Sequence, residues 1–462
     1  MRGSLRLLVV FALALVVAAP AFASDEEARL KQLEDRVSEL ETENASLKSG
    51  QDALSQEIED YLEDSSAYEA AQGAGANAGY DNGFYIRGSN GFVINFHFGL
   101  QFRVKGFDKD DDAANPRAQT GFEVARARFW MDGHAWSDIS YMFEIDEGNE
   151  SNQGGRRVLD IWIQWEVNSQ WSIRGGQQKP TLFRQERNMW YSLQFVDRAV
   201  ISEFFNRDRA IGVSADYHKS DRLHIQFGVF NTLGFFGPPT GNSAANLPFD
   251  VLAGNPLQVG DADNQFAYTF YLEYAVKGTW KDAWGEGDRT AHADQVLVFG
   301  VSFGYENNNN PAFAGTDQFL FGVDGVYKHR GLSIQGEWFS YMIDGGGGIA
   351  DTAFHGFSIQ AGYFVRAQVL EIVVRGGWMQ ADDAGLFVDA FELGTALAIA
   401  SSDDTTEIAL GANWYPNQAA GERLKVSIDV TYVEYVRAGS ATTNINVGDR
   451  GWIIRAQVQF LF

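Results

Sequence analysis

Cysteine is absent from all 462 residues, so neither disulfides nor thiolate metal sites contribute to this fold. The seven histidines (His97, His134, His218, His224, His292, His329 and His355) are scattered, without the spacing of a metal-ligand cluster. Neither a G-x-S-x-G elbow nor a P-loop pattern occurs, which removes two common signatures of hydrolytic and nucleotide chemistry. Long apolar runs are missing too. Apart from Leu7 to Ala19, apolar residues are interrupted by polar ones every second or third position, and even that run is shorter than the ~20 residues of a spanning helix. Basic charge is in deficit: 61 Asp and Glu against 36 Lys and Arg leave a formal charge of −25.

What is present begins with a targeting pattern. Arg2 and Arg6 precede the apolar run, Ala21-Phe22-Ala23 supplies small residues, and acidic sequence starts after Ser24. This reads as a secretory signal peptide over residues 1–23, with a retained anchor as the rival. An exported chain without disulfides must hold itself together by hydrogen bonding and packing, which a closed barrel does by pairing every strand edge. Residues 24–64 carry a heptad repeat, with Leu30, Val37, Asn44, Gln51 and Ile58 on one seam and Leu33, Leu40, Leu47, Leu54 and Tyr61 on the other. That spacing predicts a self-associating coiled coil in the periplasm rather than a solitary amphipathic helix, with Asn44 and Gln51 fixing register. Residues 65–83, rich in Gly, Ala, Ser and Asn, read as a flexible linker.

From residue 84 to 462 the repeating unit is a strand of about ten residues with period-two alternation. Strands are expected near 91–103, 121–132, 138–147, 157–167, 170–178, 208–217, 221–231, 264–276, 294–306, 315–328, 331–343, 353–365, 369–380, 404–415, 423–435 and 449–462. The count is sixteen, and the connections alternate between short and long, as in outer-membrane barrels with short periplasmic turns and long outer loops. Residues 277–293 break the rule, because a long connection falls where a short turn is due. Either that turn is elaborated or the register slips there. The asparagine run 307–310 and the glycine run 345–348 read as loop tips.

The final strand, GWIIRAQVQFLF, shows which face meets lipid. Trp452, Ile454, Ala456, Val458, Phe460 and Phe462 form an apolar series, against Gly451, Arg455, Gln457, Gln459 and Leu461. Similar outward sets are Leu424, Val426, Ile428, Val430 and Tyr432; Phe266, Tyr268, Phe270, Leu272, Tyr274 and Val276; and Leu159, Ile161, Ile163, Trp165 and Val167. A charge on such a face near the bilayer midplane would cost about 2–4 kcal/mol, which disfavours the opposite assignment. An amphipathic strand of a soluble sandwich would alternate in the same way, but it requires neither the signal peptide nor sixteen strands.

The lumen carries the chemistry. In FEVARARFWMDG (122–133), Ala125, Ala127, Phe129 and Met131 take the lipid face, leaving Arg126 and Arg128 inward with Trp130 and Asp132. Two arginines spaced by two can contact a passing anion in succession, or can brace the wall by pairing with Glu144, Asp146 or Asp160. Segment 179–209 is too long for a simple loop and holds Arg184, Arg187, Arg198, Arg207 and Arg209. Folded inward, it narrows the pore and brings cations to the constriction. Left outside, its arginines would bind lipopolysaccharide or pair with Glu186, Asp197, Glu203 and Asp208.

The ordered motifs GFYIRGSNGFVINFHFGLQFR (83–103), FEVARARFWMDG, YMFEID (141–146), DIWIQWEV (160–167), GGQQKPTLFRQE (175–186), FVDRA (195–199), RDRAIGV (207–213), LGANWYPN (410–417) and QVQFLF resemble the phosphate-selective porin O and P family. The resemblance spans about residues 83–462 and implies a trimeric, sixteen-stranded transmembrane β-barrel of the outer membrane. It also implies anion or solute contacts by Arg126, Arg128, Lys179, Arg198, Arg207 and Arg209. No cofactor, metal or nucleic acid is implied; the partners are other copies of the chain, outer-membrane lipid and small solutes. A continuous basic ladder is not visible. The inward carboxylates Asp132, Glu144, Asp160, Glu166, Glu273, Asp324, Glu337, Glu371, Glu407 and Asp429 are at least as many as Arg126, Arg128, Arg174, Lys328, Arg366, Arg375, Lys425 and Arg455. The expected function is passive diffusion of small hydrophilic solutes, with anions such as phosphate among them. The alternatives are a structural tether, in which the coiled coil binds a periplasmic or cell-wall partner, and a lipid-acting barrel enzyme using His224.

Overall fold

The computed structural model describes residues 76–462 except 82, 89–90, 111–117, 149–156, 207–208, 232, 234–265, 309–315, 345–350, 382–386, 390–397, 401 and 438–448. The signal peptide, the coiled coil and the linker as far as residue 75 therefore lie outside the described residues.

The strands are β1 (Ala76–Tyr80), β2 (Phe84–Gly88), β3 (Val93–Asp110), β4 (Ala118–Ala135), β5 (Ile139–Asp146), β6 (Arg157–Glu166), β7 (Trp171–Gln178), β8 (Ala210–Ser220), β9 (Leu223–Phe230) and β10 (Ala267–Lys277). They continue as β11 (Val296–Asn308), β12 (Thr316–His329), β13 (Leu332–Asp344), β14 (Thr352–Arg366), β15 (Leu370–Ala381), β16 (Phe387–Asp389), β17 (Ala398–Ala400), β18 (Ser402–Trp414), β19 (Leu424–Arg437) and β20 (Asp449–Leu461). Each strand from β3 to β15 pairs antiparallel with the next. β15 then pairs with β18, β18 with β19, β19 with β20, and β20 with β3. The result is a closed sixteen-stranded antiparallel barrel, and every one of its strands matches an expected segment.

Three features were not anticipated. Residues 76–80, read as linker, form β1, which pairs with β2 as a hairpin. β2 continues along the start of β3 (Phe84 opposite Phe96, Arg87 opposite Val93), beyond the end of β20. The chain's last residue is locked into the seam: Phe98 N–H donates to the Phe462 carbonyl at 2.8 Å and Phe462 N–H donates back at 3.0 Å. The Phe462 ring also packs against Phe84, Phe98 and Phe460. Second, β16 and β17 pair as a small hairpin within the long connection after β15. Third, Asn307 and Asn308 belong to β11 rather than to a loop tip; the glycine run lies outside the described residues.

The register is intact through residues 278–295, so the turn between β10 and β11 is elaborated, with a short 3-10 turn at Lys281–Ala283. Residues 415–423, between β18 and β19, form a second longer turn at that end, with a 3-10 turn at Gly421–Arg423, while the others are tight. Arg330 and Gly331, between β12 and β13, both take positive φ (49° and 85°), as a type I′ hairpin requires.

Alternation places the faces as expected on most strands. Along β19, Lys425, Ser427, Asp429 and Thr431 are buried while Ile428 is exposed. Along β10, Thr269, Tyr271 and Glu273 are buried while Tyr268 and Tyr274 are exposed. Two bulges correct the assignment on one wall. Gln101 faces Arg126 but Phe102 faces Val124, so Ala125 is an extra residue and is buried rather than outward. Leu159 and Asp160 together oppose Glu144, and Leu159 is buried for the same reason. Arg366, expected inward, is exposed at the end of β14 beside another register shift.

Candidate functional site

The barrel interior is not an open tube. From Pro180 to Asn206 the chain enters the lumen, forming helices α1 (Arg184–Arg187) and α2 (Val200–Phe205) and a 3-10 turn at Trp190–Ser192. Most residues of this insert are buried. It was expected as an inward constriction or an outer loop; it lies inside.

One part of the insert is apolar. Leu182, Phe183, Ile201 and Phe205 join Phe230, Leu320, Phe339, Tyr341, Phe354, Met379, Val433 and Ile453 in one cluster. Phe205 stacks on Phe339 at 4.8 Å between ring centroids, and Phe183 meets Phe339 edge-on at 5.0 Å. Inward glycines make room for it. A Cβ at Gly377 would lie 2.9 Å from Ile201, and one at Gly356 would lie 3.1 Å from both Ile201 and Phe205. Gly322 accommodates Phe183, Gly362 accommodates Gln194, and Gly99 accommodates Trp190 in the same way.

The rest of the insert is anchored by buried polar contacts. Gln185 Nε2 donates to Glu286 (2.8 Å) and Gln360 (3.0 Å), and Gln194 Nε2 donates to Ser333 (2.8 Å) and Glu371 (2.6 Å). The backbone N–H groups of Val196 and Val200 donate to Asp429 and Glu407, and Lys425 Nζ donates to the Leu193 carbonyl. Glu286 comes from the elaborated turn 278–295, so this turn and the insert meet inside the barrel. Lys328 Nζ donates to the carbonyls of Trp284 and Gly285 and steadies the turn from the wall.

The apolar cluster draws on the walls from β8 to β15 and on β19 and β20, leaving the inner face of β3 to β7 polar. Three of the six expected cations gather there. Arg126 donates to Gln101 (2.6 Å) and approaches Asp197 of the insert at 3.4 Å. Arg128 pairs with Asp146 (2.8 Å) and Glu144 (3.2 Å) and lies over the Trp190 ring. Arg209 pairs with Asp160 (2.9 Å) and reaches Glu144 at 3.9 Å. Glu144 thus sits between Arg128 and Arg209 in an alternating chain of charge.

Two expected residues have other surroundings. Arg198 donates to the carbonyls of Gln185 (3.0 Å) and Asn188 (2.9 Å) and pairs with Glu203 at 3.6 Å, holding the insert's own fold. Lys179 donates to the Glu186 carbonyl. Desolvation, reinforced by Arg198 and Arg209, pulls its ammonium well below the usual range. Arg207 lies outside the described residues.

Asp197 was expected only as one of four possible partners for the segment's own arginines, and it pairs instead with arginines of the wall. It faces Arg103 of β3, Arg126 of β4 and Arg455 of β20, the last at 2.9 Å. Burial opposes a charge there, yet these guanidiniums hold the carboxyl well below the usual carboxylate range. Its place in FVDRA, in a segment without periodicity, gave no sign of which arginines it would meet. His224 is held between Glu273 (2.8 Å) and Asp216 (3.0 Å) and stacks on Trp280. Among the described residues, no group of three or more His, Asp or Glu side chains is arranged to hold a metal ion.

No protein of curated function matches the chain. Among solved structures, the outer membrane channel DcaP of Acinetobacter baumannii aligns at 11% identity and a TM-score of 0.50, covering 81% of this chain and 99% of that one. An anion-selective porin from Comamonas acidovorans aligns at 13% identity and a TM-score of 0.49, covering 80% and 99%. The trimer form of OmpT of Vibrio cholerae aligns at 12% identity and a TM-score of 0.46, covering 79% and 99%. Identities this low speak to the fold alone. The sequence profile of the family described as phosphate-selective porin O and P matches residues 94–462, from the start of β3 to the last residue, and the chain therefore belongs to that family of outer-membrane porins.

Proposed function

We propose that this porin passes small hydrophilic solutes by passive diffusion along a passage between the insert and the inner wall of β3 to β7. The observation that carries this reading is the seating of the insert. It packs an apolar cluster and buried polar anchors against the other walls and faces a charged strip at Arg126, Arg128 and Arg209 on the β3 to β7 side. No chemical step is needed: a hydrated passage removes the desolvation penalty, and fixed charges bias which ions enter.

The pairing of those cations shapes the expected selectivity. Arg128 and Arg209 alternate with Glu144, Asp146 and Asp160 instead of forming a basic ladder. A row of paired charges orients dipolar solutes and discriminates weakly by sign, so phosphate is one passenger among several. The test is the reversal potential of the purified chain in a planar bilayer under a steep KCl gradient, with phosphate then added to one side. A small potential without block is expected. A strong anion potential with chloride current blocked by phosphate would instead make the arginines a phosphate site.

The wall heights support a homo-oligomer, as the family resemblance implies. β5, β7 and β9 have 8 residues each, whereas β11 to β14 have 13 to 15. A tilted strand needs about 9–11 residues to cross the hydrocarbon. The low wall, with Ile173 and Val213 exposed on its outside, is covered best by other copies of the chain.

A further inference from the structure

We infer that the inner face of β4 to β7, near the tight-turn end of the barrel, is a recognition track for a neutral sugar, with Trp130 and Trp162 as its stacking platforms. The inference rests on the diffusion reading and names a solute class for it. Both indoles point inward by strand parity: Trp130 follows Arg126 and Arg128, and Trp162 follows Asp160. Trp190 shows what an indole used for packing looks like here, at 4% exposure. Trp130 meets the edge of Trp190 at 6.4 Å between ring centroids, yet it and Trp162 are only half-buried. Apolar ring surface left open to an aqueous lumen is unfavourable unless a solute covers it in passing.

The surroundings select the kind of solute. Each indole is backed by a planar polar group. His97 stacks on Trp130 at 4.9 Å and 14°, and the Arg174 guanidinium lies 4.1 Å from the Trp162 ring centroid. Hydrogen-bonding groups stand at the ring edges. Asp132, whose side chain is 40% exposed, holds His97 at 2.8 Å and accepts from Asn95 at 3.0 Å; Gln164 accepts from Arg174 at 2.8 Å and donates to Glu166. Carboxylates and cations are both present, so an anion finds no surplus of positive charge, and an uncharged polyol finds donors and acceptors of both kinds. A pyranose ring offers an apolar face for the indole and an equatorial rim of hydroxyls for these edges. Across β5, Trp130 stands opposite Glu144 and Trp162 opposite Met142, so two strand spacings and a two-residue offset place the platforms about 12 Å apart. A disaccharide is too short to stack on both at once and passes from one platform to the other.

The test is titration of the detergent-purified full chain with maltose, read by tryptophan fluorescence and by calorimetry, beside the KCl conductance of the same preparation. Saturable maltose binding is expected, weakened about tenfold by Trp162→Ala or Trp130→Ala. Trp162→Tyr, which keeps an aromatic platform, should restore most of the affinity. Trp414→Ala, on the outer face, should leave it unchanged. Heat-modifiable gel migration shows that each variant retains the barrel. Conductance without maltose binding overturns the track and leaves the diffusion reading standing. Binding without conductance upholds the track and removes the diffusion reading. Binding that all three alanine variants weaken equally, or that none of them weakens, overturns the track.

Discussion

Asp197 is the residue on which the seating of the insert turns, because one carboxylate draws in arginines from β3, β4 and β20 across the barrel seam. Removing one partner of a buried charge pair costs about 3–5 kcal/mol, since the other charge stays buried. Asp197→Asn is therefore expected to unseat the insert and give larger, noisier single-channel currents, while the barrel still migrates as a folded species. The pH dependence follows from the same geometry. A depressed carboxyl gives its full stabilisation above its unfolded pKa of about 3.9 and loses it as pH falls through the lower folded value. Conductance should hold steady from neutral pH to about 4 and rise only in stronger acid. Arg128 makes a second prediction. Arg128→Ala uncovers Glu144 and Asp146, so the reversal potential should move toward cation selectivity. An unmoved potential would make the arginine a wall brace remote from the ion path. At this scale the inward direction of Arg126 and Arg128 was legible from alternation. The bulge at Ala125 was not, because pairing with β3 sets it and no local residue announces it.

Among the elements, the insert and the turn 278–295 decide what the barrel can pass. Their lengths were visible in the sequence, as one loop too long to be simple and one turn too long for its place. Their meeting point at Glu286 was not visible, because it depends on a contact between Gln194 and a residue 92 positions away. The inward glycines were the overlooked signal. Gly322, Gly356, Gly362 and Gly377 occupy lumen-facing positions where a side chain would collide with the insert, and together they outline its footprint on β12, β14 and β15. Gly377→Val tests this footprint, because the added methyls occupy the space of Ile201. The expected outcome is a folded barrel whose insert becomes cleavable by protease added from outside. Protection equal to that of the parent chain would mean that α2 is held by something other than this fit.

For the molecule as a whole, strand alternation specified the sixteen-stranded barrel because every strand crosses between lipid and lumen, and a slip of one residue would reverse both faces. The β1–β2 hairpin escaped notice because both strands have only five residues and β1 lies in a Gly- and Ala-rich stretch without alternation. The low wall makes a prediction at this scale. Because the chain has no cysteine, single substitutions report cleanly. A bismaleimide should link copies carrying Ile173→Cys on β7 but not copies carrying Ile408→Cys on the taller β18 wall. Equal linking at both positions would remove the low wall as the contact surface.

The central claim is that an insert seated inside an outer-membrane barrel sets the passage for solutes. Its most direct test compares single-channel conductance in planar bilayers for the full chain and for a variant in which residues 180–206 are replaced by a short Gly-Ser linker. The account predicts discrete conductance steps for the full chain and steps several times larger for the variant. Equal steps, or no steps from either protein, would contradict it.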